Sequence, residues 1–384
     1  MIQTTTKIQK TFSGSVLSRY ACLLLVSMTG LTLEAQDENR SKALTFGGAY
    51  TGDIVGNLRG GIKSGAAYLG MVSLNLDLDT ETAGWWSGGE AYVKLANTHG
   101  SEPSADLVGD FQGVSNIEAG NLTWIYELWY RQTLGALDIT IGLQDLNATF
   151  ASSEGGVLFT NSSFGVHSSI ADNISSPIFP ITALGFNADW QIRDKYNLRL
   201  ALFDGVPDKI ENNPAGIHWR LSKQDGYLLV TEFQAGHSLL NSNRGNYKLG
   251  LYYHRHTNEL GTMERNYGFY FVGDQTLTKK LSAFSQIGLS PRSLNDHSHY
   301  YALGFRLSDF IKKRNADQLG LAVAYAGIDN NVVGSETAIE LIYHLQLCNN
   351  IFIRPDVQYI INPAGTGQKL SNALVAFLRV GLEF

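Results

Sequence analysis

The chain has 384 residues and a formal net charge of −6, which argues against nucleic acid as its partner. It holds 40 Gly and 18 each of Tyr and Phe, against only 8 Pro and 4 Met. Soluble α/β enzymes rarely combine these, whereas a transmembrane barrel uses aromatics as interfacial girdles and glycines where strands bend.

The N-terminus reads as a secretory signal. Lys7, Lys10 and Arg19 form a basic region, residues 20–33 an apolar stretch, and Ala35 a small residue at which cleavage is expected. The apolar stretch is too short for a membrane-spanning helix. This divides the chain into a signal peptide, 1–35, and a barrel domain, 36–384. Cleavage removes three bases and one acid, taking the charge from −6 to −8, and removes Cys22, leaving Cys348 without an internal disulfide partner. No long apolar run follows, so a closed barrel is the one membrane-spanning structure open to the rest.

From residue 44 onward, segments alternate apolar and polar residues and end in turns. Leu74, Leu76 and Leu78 oppose Asn75, Asp77 and Asp79; Ala91, Val93 and Leu95 oppose Glu90, Tyr92 and Lys94. Trp124, Tyr126, Leu128 and Tyr130 oppose Glu127, Trp129 and Arg131. Leu198, Leu200 and Leu202 oppose Asn197 and Arg199; Ile339, Leu341 and Tyr343 oppose Glu340 and His344; Val357 and Tyr359 oppose Arg354, Asp356 and Gln358. A period of two sets each group on one face of a strand.

A soluble sandwich alternates in the same way, but three features favour a barrel. Many segments approach the nine to eleven residues of a tilted membrane strand. Trp124, Tyr130, Trp190, Tyr325, Tyr343 and Tyr359 fall near strand ends on the apolar face, as girdles do. The last segment, 374–384, alternates without a break to Phe384, like the signal read by the outer-membrane barrel insertion machinery. Short connections at 133–136, 193–195, 274–280 and 347–350 contrast with long ones at 97–119, 145–181 and 361–371. A first tally gives seventeen segments. Because barrels of this class have an even strand count, residues 217–221 are assigned to an external loop. The expected fold is all-β: a transmembrane antiparallel β-barrel of about 16 strands.

Such a barrel encloses water. Its polar face carries Lys94, Arg131, Arg199, Lys248, Arg306, Arg354 and Arg379 beside Asp77, Asp79, Glu90, Glu127, Asp189, Glu232, Glu340 and Asp356. The signs are mixed, so no single-sign ring is evident. Tyr92, Trp129, Tyr252, Tyr300 and Phe352 lie among them, a lining that suits a neutral polyhydroxylated solute. The opposing reading is that the charges pair across strands and the rings fill space. Residues 145–180 are long and apolar, with Phe150, Leu158, Phe159, Phe164, Ile170 and Ile174. They are expected to fold inward as a constriction loop rather than form an external cap.

These residues resemble the OprB-type carbohydrate-selective porins. The likeness runs from Tyr50 to Asn57, through Gly60 and Gly61, and from Leu107 to Glu118. It is strongest from Leu122 to Gln132 and from Gly142 to Phe150. It continues from Phe159 to Gly165 and from Ile353 to Ile360, with Asn362 and Pro363. The resemblance implies a sixteen-stranded channel in the outer membrane of a Gram-negative cell. It would pass glucose-like monosaccharides, and small oligosaccharides, down their gradient without reaction or cofactor. Matching motif positions are Asp53, Asn57, Glu118, Glu127, Trp129, Arg131, Asp145, Asn147, Arg354 and Asp356. Of these, Glu127, Trp129, Arg131, Arg354 and Asp356 fall on the lumen face and are the expected substrate-binding residues. Outer-membrane lipid, lipopolysaccharide and the insertion machinery are the expected partners, and the barrel is a monomer or a homotrimer.

Three other readings compete. One is a general diffusion porin without sugar preference. Another is a barrel enzyme, but His254, His256, His297 and His299 fall in or beside expected loops, with no H-E-x-x-H or G-x-S-x-G spacing; no metal is expected. The third is an adhesin whose external loops bind a partner.

Overall fold

The computed structural model describes residues 42–210, 212–236, 244–258, 260–328 and 334–384. The expected signal peptide, 1–35, lies outside them. Among the described residues, sixteen strands form one closed antiparallel barrel. In order they are β1 (Leu44–Gly61), β2 (Gly65–Asp79), β3 (Gly89–Gly100), β4 (Leu122–Leu134), β5 (Leu137–Gln144) and β6 (Ala183–Arg193). Then come β7 (Tyr196–Asp204), β8 (Tyr227–Ala235), β9 (Gly245–Thr257), β10 (Met263–Thr276) and β11 (Leu281–Leu289). The last five are β12 (His297–Ser308), β13 (Gln318–Ile328), β14 (Ser335–Cys348), β15 (Ile351–Ile361) and β16 (Ser371–Glu383). Residues 217–221 lie in the connection between β7 and β8, as the parity rule requires. No described helix is long and apolar enough to cross a membrane.

Each strand pairs with its neighbour in sequence, and β1 closes the cylinder on β16. At that seam the backbone of Gly48 exchanges hydrogen bonds of 2.8 and 2.9 Å with Phe384. The Phe384 ring lies over Gly48, where any Cβ would come within 2.5 Å of it. The terminal aromatic is therefore held in the seam by a glycine that leaves room for it. Two-residue turns after β4, β6 and β14 lie at the same end as the barrel's two chain ends; by the short-turn rule this end is periplasmic. The long connections 101–121, 145–182 and 205–226 lie at the other.

Alternation predicts the outward face well. Leu76, Leu95, Leu128, Ile141, Leu200, Leu321, Leu341 and Val357 are exposed on the outside, and Trp190 is exposed with them. Trp124 departs from this. In the β3–β4 register Lys94 faces Glu127 but Leu95 faces Ile125, so Tyr126 is an inserted residue. A bulge of one residue reverses the facing of everything beyond it. Trp124 and Tyr126 therefore point inward, buried against Phe179 of the 145–182 connection at 6.2 and 6.0 Å between ring centroids. They are not girdle residues. His254 and His256 lie at the end of β9, and His297 and His299 at the start of β12, beside loops as expected.

Two connections enter the barrel. Residues 145–182 fold inward as expected, forming apolar clusters with the inner faces of β7 to β14 through Phe150, Ile170, Ile174, Phe159 and Phe164. Residues 101–121 also enter, and Val108, Val114 and Ile117 pack against β1, β2 and β14 to β16. Length marks this second segment only as a long connection and does not show that it enters the barrel.

Candidate functional site

The inner wall is divided into two arcs. Along much of β8 to β16 it is covered by the inward segments: Glu232, Gln286, Glu336, Glu340 and Gln358 are fully buried. On β2 to β7 some inward side chains remain partly accessible, among them Arg131 at 39% and Glu90 at 29%. The inward connections thus displace the open lumen to one side of the barrel.

Wall carboxylates produce the covered arc by accepting backbone N–H groups from the inward segments. Glu336 accepts from Phe111, Gln112 and Ala364 at 2.7, 2.9 and 2.8 Å. Glu232 accepts from Ala151 at 2.9 Å, and Asp274 from Gly155 at 2.8 Å. Glu340 accepts from Thr160 and Asn161 at 2.7 and 3.0 Å, while the Thr160 hydroxyl donates to Asp356. A loop buried in a barrel leaves its amides without water, and a carboxylate on the wall is the strong acceptor that replaces it.

The open arc is assembled by strand register. Tyr92 of β3 stands opposite Trp129 of β4, and their rings stack at 4.8 Å. The Arg131 guanidinium lies 4.8 Å from the Trp129 ring and bonds Glu90 at 3.0 Å. Trp129 Nε1 donates to Glu127 at 3.3 Å, and Lys94 lies 4.0 Å from Glu127. Arg199 of β7 bridges Asp189 and Glu232 at 2.7 and 3.2 Å. A polar cavity of about 460 Å³ opens beside this wall, lined by Glu127, Trp129, Arg131, Asp138, Thr140 and Asn187 among others. At the outer end a second cavity, of about 780 Å³, includes Asn173, His256, Glu264 and Asn266.

The five expected site residues separate. Glu127, Trp129 and Arg131 come together on one stretch of β4 and face the cavity. Asp356 is buried on β15 against Thr160. Arg354 lies over the Phe352 ring at 4.4 Å and donates to His344 Nδ1 at 2.8 Å. Neither lines that cavity. Asp138 and Thr140 were missed, although Leu137–Gln144 alternates and places them on one face with Gln144. Among the described residues, no group of three or more His, Cys, Asp or Glu is arranged to hold a metal ion.

The 101–121 segment carries two perturbed acids. Burial raises the Glu118 carboxyl to about 7, with the Asp110 charge adding to the effect, although backbone N–H of Ser104 opposes it. Burial likewise raises Asp110 to about 6. Both values exceed those of an unfolded chain, so the docked segment disfavours the ionised forms. Docking is expected to be firmest below about pH 4 and to weaken as pH rises through 6 and 7. Hydrogen exchange of amides 104–118, corrected for intrinsic rates, should show greater protection at pH 5 than at pH 8; the reverse order would refute this linkage.

Comparison with known proteins gives a consistent result. Residues 63–384 match the family model described as "Carbohydrate-selective porin, OprB family". The chain is 23% identical to Porin B of Pseudomonas aeruginosa, covering 89% of this chain and 88% of that one. It is 21% identical to the putative porin QuiX of Acinetobacter baylyi, covering 82% and 83%. Its fold is similar to the high-pH structure of Pseudomonas putida OprB, with a TM-score of 0.79 and 21% identity over 89% of this chain and 94% of that one.

Proposed function

The chain belongs to the OprB family of carbohydrate-selective porins and is an outer-membrane channel for carbohydrates, and we propose that sugar is recognised on its open arc by Trp129, Arg131 and Glu127. The observation that carries this reading is the Tyr92–Trp129 stack with Arg131 against it, on the stretch of wall that the inward segments leave uncovered. Aromatic edges and faces accept the C–H side of a pyranose, while planar guanidinium and carboxylate groups take its hydroxyls in pairs. Arg354 and Asp356, on β15, act on the constriction loop instead. Asp356 holds Thr160, and Arg354 reaches toward the Leu158 carbonyl at 3.5 Å, so both brace the constriction loop. The 460 Å³ cavity has room for a glucose-sized solute.

In planar bilayers the pure protein should give stepwise conductance that millimolar mono- or disaccharide reduces. Arg131→Ala should raise the half-blocking sugar concentration about tenfold, the equivalent of about 1.4 kcal/mol. Trp129→Ala should weaken block as well, because it removes a ring surface and releases Arg131. Unchanged block in both variants would remove the site assignment, and the absence of sugar block in the parent protein would favour a general diffusion pore.

A further inference from the structure

We infer that the open arc is a charge filter, admitting neutral and cationic (amino) sugars and holding back anionic ones such as uronates and sugar phosphates. The inference rests on the sugar-channel reading and specifies its solute class. All three bases on the inner faces of β2 to β7 whose pairing makes the wall are matched to carboxylates. Lys94 faces Glu127, Arg131 bonds Glu90, and Arg199 is held between Asp189 and Glu232. An anionic solute therefore meets guanidinium groups whose charge is already compensated, and binding one would leave a carboxylate unpaired.

The acids are in excess. Asp77 and Asp138 stand on the same inner faces, with Asp77 beside Glu90 and Asp138 on the cavity wall. The cavity lining holds five acids and three bases, and two of those acids, Glu127 and Glu154, are paired with Lys94 and Arg244 just outside it, so the excess rests on Asp77 and Asp138. Lys248, the third of those bases, donates to the Ser152 carbonyl and hydroxyl at 2.6 and 3.1 Å and is nearly buried. It is committed to the constriction loop rather than to solute. A narrow path with a surplus of fixed negative charge concentrates cations and depletes anions. One uncompensated carboxylate about 8 Å from a solute charge in a water-like medium changes its local concentration about twofold. Two of them acting on solutes of opposite sign should separate these by about tenfold at low salt.

The experiment compares solutes of equal size in liposomes containing the full-length barrel: glucosamine, glucose and glucuronate at neutral pH and low ionic strength. Influx should fall in that order, with glucosamine about tenfold faster than glucuronate. In a KCl gradient the reversal potential should show cation preference, and Asp77→Asn with Asp138→Asn should move it toward zero and narrow the sugar ratio. Equal influx of the three solutes, or anion preference, would overturn the filter while leaving the channel reading intact. A persistent preference in the folded double variant would overturn the assignment of the filter to these two residues. If none of the three enters, the channel reading fails and takes the filter with it.

Discussion

Arg379→Ala should cost the barrel about 3–5 kcal/mol of stability, the largest loss expected from any single truncation on the inner wall. Arg379 lies on β16 and Asp53 on β1, paired across the seam that closes the cylinder. The guanidinium donates through Nε and Nη2 to the two Asp53 oxygens at 2.7 and 2.8 Å, and both side chains are buried. Ser115 donates to Asp53 at 2.7 Å, and Arg379 also reaches Asn116 Oδ1 at 2.9 Å, so the pair ties the 101–121 segment to the closed seam. Removing the base leaves Asp53 with only a hydroxyl, at a position closed to bulk solvent. Urea unfolding from lipid vesicles, followed by tryptophan fluorescence, measures the loss. The same measurement on Asp53→Asn with Arg379→Met should recover much of it, since an uncharged pair leaves no buried charge. A loss below about 1 kcal/mol for Arg379→Ala would show that seam closure rests on the backbone ladder alone.

Replacing residues 152–176 by a short Gly-Ser linker should raise single-channel conductance severalfold and abolish sugar block. A barrel of sixteen strands encloses a water-filled lumen unless something fills it. Here Phe150, Phe159, Phe164, Ile170 and Ile174 fill it, held by amide bonds to Glu232, Asp274 and Glu340. A milder variant, Glu340→Ala, removes the acceptor of Thr160 and Asn161 and should give flickering, intermediate conductance without loss of the barrel. Unchanged conductance in both would mean that the narrowest part of the path lies elsewhere.

The strand pattern was legible because a membrane barrel has opposite solvents on its two faces. Leu200 and Arg199 cannot exchange faces without placing a charge in lipid, so the register is written into the alternation. The same reasoning placed Glu127, Trp129 and Arg131 on one inward stripe. It failed at Trp124 because a bulge at Tyr126 adds a residue without any compositional mark; only the pairing of Lys94 and Leu95 with β4 reveals it. It also treated Glu340 and Asp356 like Glu127, since alternation reports that a side chain points inward but not what it meets there.

From the sequence alone came a closed antiparallel barrel, an even strand count, an inward apolar loop at 145–180 and the identity of the inward-pointing charges. Each follows from local chemistry: the period of the backbone, the cost of unpaired amides in lipid and the apolar content of one long connection. The tertiary structure decided that residues 101–121 enter as well, that the polar cavity lies along β4 to β9, and which carboxylates face it rather than loop amides. Those depend on which segments meet across the barrel, as Glu336 meets Phe111 over a separation of 225 residues. A one-dimensional pattern fixes a residue's face, while its partner is set by the closure of the cylinder and the volume left inside it.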